Sequence, residues 1–445
     1  MIESNRTIAV KSAPRSFLEK LKFLGPGFIL GASIVGSGEL IATTVLGAEA
    51  GFITFWVILL SCFIKVSIQL EYGKNAILTG KPLMVEFNEL AGLRIGKGHW
   101  TVWTIFLLTL FKIIQLGGMI GGAAIIINLI FPSLSLPWIA SFLGLSLILF
   151  FLKNYYPLIE KTSTFLVFGF TLLTLASLIG LFFTPFSFTW EQVATGLTFK
   201  LPSELIFVAI GAFGITGVAS DEIIAYTYWC QEKGYANYVG KNDGSEDWKI
   251  RAKGWISIMY LDAFIAMLIY TLVTSSFYLL GAAILHGKQE IPQGLDLIRS
   301  LASIYTEILG PKARFAYLIG GFFALYSSAF ATLAYWTRLF PDVFSQMGWI
   351  EKSEKAWTKT AKWLSVIFPV LWVLIFVFIK EPGFMVLAGG AIGSVMLLVV
   401  VFGGIQFHRK NLGLQLFNGP ISKIMFWLST LSILLVSAYG IYKLF

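Results

Sequence analysis

The chain has 445 residues, 57% of them hydrophobic and only 13% charged, with a mean hydropathy of +0.79. That balance excludes a soluble globular domain, and the absence of short alternating segments excludes a β-barrel, which leaves a polytopic α-helical membrane protein. The formal charge of +9 reflects Lys and Arg gathered in loops on one predicted side, so it reports topology and does not point to nucleic acid.

Hydropathy predicts about eleven spanning segments, near 25–49, 51–73, 101–129, 137–153, 163–184, 203–230, 254–282, 314–339, 362–380, 383–406 and 421–442. The first begins at Gly25-Pro26-Gly27, where a proline is tolerated because its missing N–H would be unsatisfied at a helix start. Upstream, Lys11, Arg15, Lys20 and Lys22 precede no short apolar core with a cleavage site, so the first helix is expected to be retained. The loop after segment two, Thr79 to His99, is polar enough for a short interfacial helix. The polar intervals Gln231 to Lys253 and His286 to Arg314 are too short to be domains.

Basic loops at the N-terminus, around Lys74 to Lys97, Lys233 to Lys253 and Lys352 to Lys362 predict a cytoplasmic N-terminus and an external C-terminus. The cell membrane is the expected location. Cys62 and Cys230 both fall in or at the end of predicted helices, so buried thiols are expected in place of a disulfide framework.

One stretch is written twice. Val35-Gly36-Ser37-Gly38-Glu39-Leu40-Ile41-Ala42-Thr43-Thr44 is echoed by Val218-Ala219-Ser220-Asp221-Glu222-Ile223-Ile224-Ala225-Tyr226-Thr227. Both copies put a carboxylate inside an apolar segment, which costs roughly 3 kcal/mol on insertion scales and survives mainly beside a cavity or a partner. Glycine and serine around each acid favour an interrupted helix.

Interrupted segments in corresponding positions of two halves point to the substrate site of an inverted-repeat transporter. The expected organisation is a single membrane domain over 1–445, with five-helix repeats at 23–184 and 203–406 and an extra helix at 421–442. Five helices per repeat is odd, so the two copies run antiparallel and face each other.

Several stretches resemble the Nramp family of proton-coupled divalent metal transporters. Phe23-Leu24-Gly25-Pro26-Gly27-Phe28 is similar to that family's helix-one opening, Trp56 to Gly80 to its helix two and following loop, and Ala209-Ile210-Gly211-Ala212-Phe213-Gly214 to the lead-in of its broken helix six. The resemblance implies a LeuT-type 5+5 inverted repeat with helices one and six broken at mid-membrane. It covers most of the first seven helices.

The chain departs from the family at the metal motifs. Gly36-Ser37-Gly38-Glu39 stands where Asp-Pro-Gly-Asn is usual, and Val218-Ala219-Ser220 where Met-Pro-His is usual. Lys112 and Gln115 stand at the family's helix-three acids, and no matching arginine pair is visible on helix nine.

What remains near the two interruptions is oxygen: Glu39, Glu222, Asp221, hydroxyls of Ser37, Ser220, Thr43 and Thr216, and unwound carbonyls near Gly36. An all-oxygen set suits a hard ion such as Mg²⁺ or Mn²⁺. Glu39 and Glu222 are the expected metal ligands, with Asp221 as an entry ligand. Lys65 and Lys112 decide between substrates. Ammonium groups close to the glutamates would make the centre amphoteric and suit a small organic solute, whereas lysines turned away leave the acids free for metal.

Asp262 is expected as a proton relay or a helix cap, with the relay preferred. Glu71 and Arg338 read as interfacial charges. No phosphate loop, His-Glu-x-x-His or nucleophile elbow appears, so neither an enzyme nor a cofactor is expected. A secondary active transporter of a divalent cation is the primary expectation, with a small organic solute or a non-transporting sensor as alternatives and protons as possible co-substrates.

Overall fold

The computed structural model describes residues 10–27, 31, 34–153, 156–287, 294–411 and 419–444. Within them, eight helices are long and apolar enough to cross a membrane, and three shorter apolar ones, Leu40–Ala50, Leu136–Leu152 and Val167–Leu181, complete the expected set. We number them one to eleven in chain order. The expected start of helix one between Phe28 and Ser33 lies largely outside the described residues, as does the side chain of Ser37.

Helix ends differ from hydropathy wherever charged residues continue the helix past the apolar stretch. Helix seven begins at Glu246, helix eight runs to Met347 and helix nine begins at Glu354. Ser245 and Ser353 cap the two starts, each accepting a backbone N–H from three residues on, so the local chain sets these boundaries and the apolar window does not. The loop after helix two holds the expected short helix, Leu83–Asn88, and a two-residue hairpin pairing Arg94 with His99.

His99 opens helix three, its ring accepting the Thr101 N–H. Burial, with Arg94 nearby, holds the imidazole below its usual range, so the neutral acceptor form is kept. Because the unfolded chain takes up the proton more readily, this contribution is present above the ordinary histidine value and fades as pH falls below it. Thermal unfolding should show a larger loss of stability from pH 7.5 to pH 5 in the wild type than in His99→Asn, since asparagine caps without titrating.

Small residues bring the central helices together. Helix six, as Ile206–Ile215, lies against helix ten at Gly211, Gly214 and Gly390, where an added Cβ would meet backbone carbonyls. Helix one crosses helix seven where Gly47 meets Tyr278 and Gly281 meets Thr44. Without water to drive helices together inside a bilayer, such close backbone approach supplies the packing.

Candidate functional site

The two repeated stretches interrupt their helices differently. Helix six stops outright: Ile215 ends one half, Thr216 is extended at ψ 147°, Gly217 is left-handed at φ 63°, and Ser220 starts the second half, Ser220–Glu232. Helix one instead passes through a π-turn, Val35–Glu39, with Gly38 at φ 112° before Leu40 resumes α-geometry. A π-turn leaves backbone groups out of register and is frequent at functional sites.

The break in helix six exposes a C-terminal end and an N-terminal end within a few residues, and the buried charges sort accordingly. At the N-terminal side, Glu39 accepts the Gly217 N–H at 2.6 Å, and Glu222 folds back to accept the Ala219 N–H at 2.8 Å. At the C-terminal side, the Lys65 ammonium donates to the carbonyls of Phe213 and Thr216, both at 2.6 Å. Each helix end carries about half a charge of the sign these side chains complement.

Glu39 thus reaches from the first repeat into the break of the second, and Thr274 of helix seven donates to its other oxygen. Lys112, at the turn that divides helix three into Trp100–Phe111 and Ile113–Ile130, forms an ion pair with Asp221. Glu39, Lys65, Lys112, Thr216 and Ser220 have no exposed surface, and Glu222 keeps 7%, so this centre is closed. Among the described residues the Ser220 hydroxyl and that of Thr43 are buried without partners. The Ser220 hydroxyl and the Lys112 ammonium both lie close to Gly393 of helix ten.

The lysines therefore neither snorkel nor pair with the glutamates: both stay inside, one on carbonyls and one on Asp221. Among the described residues no group of three or more His, Cys, Asp or Glu gathers as a metal cage.

Geometry places four further expected site residues. Thr216 offers no free ligand, because its carbonyl is taken by Lys65 and Ser61, and its hydroxyl donates to Ser61 at 2.7 Å. Gly36 serves packing, since a Cβ there would collide with Ala324 O and Ser328 on helix eight.

Asp262 lies at the far end of helix one, accepting the Gly25 N–H at 2.9 Å and the Gly27 N–H. It caps that helix start, the alternative to the relay role that was preferred. Lys233 and Tyr235 hold the same end through the carbonyls of Leu24 and Phe23, at 2.9 and 2.7 Å. Gln115 packs against Gly389 of helix ten.

Sequence reasoning also missed a second polar cluster. Glu71, read as an interfacial charge, is 2% exposed and bonds Lys74 at 2.7 Å, with His408 at 3.3 Å. The i,i+3 spacing of Glu71 and Lys74 was a visible signal; the approach of His408 from helix ten was not.

With this geometry in hand, the sequence matches the family model described as natural resistance-associated macrophage protein-like, Nramp, over residues 27–443. The chain belongs to the Nramp family. A curated relative, the divalent metal cation transporter MntH of Brucella suis biovar 1 (strain 1330), is 23% identical over 321 residues, which cover 70% of this chain and 64% of that protein.

Among solved structures, a mutant of the Eremococcus coleocola manganese transporter superposes with a TM-score of 0.72 at 16% identity, covering 96% of this chain and 88% of its own. MhsT in complex with L-phenylalanine superposes with a TM-score of 0.55 at 16% identity, covering 98% and 100%. These likenesses establish the LeuT-type 5+5 fold of this Nramp protein, an integral membrane protein.

Proposed function

We propose that this Nramp protein is a secondary active transporter in the cell membrane that carries a divalent metal cation by alternating access. The observation that carries the reading is Glu39 of the first repeat bonded into the helix-six break of the second, next to Glu222. An ion bound there ties the two repeats together, so its release is coupled to their separation.

Three carboxylates, Glu39, Glu222 and Asp221, stand against two ammonium groups, Lys65 and Lys112, which leaves one formal negative charge. That excess suits a hard ion that keeps part of its water shell, as Mg²⁺ does and Mn²⁺ can. Glu39 and Glu222 bind it or its waters, Ser220 and Thr43 offer hydroxyls, and Asp221 takes the ion up only on leaving Lys112. The name of the Brucella relative supports a metal substrate.

A small organic solute is the second reading, favoured by one observation: both lysines remain inside the centre. Purified protein in liposomes separates the two. The metal reading predicts Mn²⁺ or Mg²⁺ influx that falls to background in Glu222→Gln, and an internal pH dye reports whether protons enter with the ion. Absence of divalent flux from a protein that binds amino-acid-like solutes would reject it.

A further inference from the structure

The position of Lys65 carries a consequence beyond the acidic pair. Its ammonium sits on two main-chain carbonyls at the end of the first half of helix six, both at 2.6 Å. Ser61, one turn earlier on helix two, donates to the same two carbonyls at 3.0 and 2.8 Å, and the Phe213 ring lies 4.9 Å from the ammonium. Lys65 is fully buried, yet its hydrogen bonds go to these oxygens and not to the nearby glutamates.

Main-chain carbonyls at a helix C-terminus, helped by a hydroxyl and an aromatic face, form the surroundings a small monovalent cation seeks. An ammonium is a compact point charge with three donors and matches them.

We propose that the helix-six break contains a monovalent-cation site that is permanently filled by the Lys65 side chain. The site needs no free alkali ion, and it withholds the carbonyls of Phe213 and Thr216 from any transported ion. Substrate is thereby confined to the Glu39, Glu222 and Ser220 side of the break. The assignment does not depend on what is transported, and its readout below is melting, so its failure and that of the transport reading are distinguishable.

The test uses full-length Lys65→Ala and Lys65→Met, which empty the site with and without loss of the stem's volume. Each is melted in detergent in N-methyl-D-glucamine chloride and then with this salt exchanged for sodium or methylammonium chloride at constant ionic strength. Both variants should melt below the wild type. Lys65→Ala should regain stability saturably with methylammonium or sodium, by mass action on the vacated oxygens, while the wild type stays flat. If no small cation raises the melting temperature of either variant, the proposal fails. A wild type that is itself stabilised by sodium overturns it equally, and that measurement stands even if neither variant folds.

Discussion

Lys112→Met should be the most destabilising single substitution in the centre, by about 3–5 kcal/mol, because it strands the buried Asp221 carboxylate without a partner. The side chains are 0% and 12% exposed, so water compensates little. Removing both charges, in Lys112→Met with Asp221→Leu, should restore most of the loss, since an apolar pair of similar volume is often no worse than the ion pair it replaces.

The single variant also raises the formal negative excess of the centre from one to two. A divalent cation should therefore stabilise Lys112→Met more than it stabilises the wild type, through linkage of binding to folding. Melting in detergent with and without Mn²⁺ or Mg²⁺ reads both effects. Equal metal-induced shifts in the two proteins would separate Lys112 from the substrate site.

Glu39 divides into a structural and an electrostatic part. Glu39→Ala leaves the Gly217 N–H and the Thr274 hydroxyl unsatisfied in a dry interior, at about 1–3 kcal/mol for each. Glu39→Gln has the same shape: its amide oxygen accepts from Gly217, and its NH₂ donates to a Thr274 hydroxyl turned round to accept. The glutamine variant should lose no more than about 1 kcal/mol of stability, whereas the alanine variant should lose several. Chemical unfolding of the two variants checks the split. Equal losses would show that the charge of Glu39, and not its hydrogen bonds, holds helix one to the break.

How much of this was legible follows from particular residues. Glu39 and Glu222 stood out because an acid in an apolar helix is costly and the cost was incurred twice in matching contexts. Gly36, Ser37 and Gly38 before one acid and Ser220 before the other marked the interruptions, although their different forms did not show, because sequence does not tell a π-turn from an unwound stretch.

The lysines could be named and not placed. A four-carbon stem reaches equally toward an interface, a carboxylate or a carbonyl, and only the packed neighbours of helices two, three and six settle which. Gly36 and Thr216 misled for a related reason. A glycine that admits a ligand and one that admits a neighbouring helix read alike, and so do a free hydroxyl and one already bonded to Ser61. Asp262 was open between relay and cap until its contacts with Gly25 and Gly27 were known.

The central claim is that Glu39 and Glu222, one from each repeat, together hold the transported ion at the helix-six break. Calorimetric titration of Mn²⁺ and Mg²⁺ into purified wild type, Glu39→Gln and Glu222→Gln tests it most directly. The expected result is saturable heat of binding for at least one ion in the wild type and none in either folded variant. Wild-type binding that survives unchanged in both variants would contradict it.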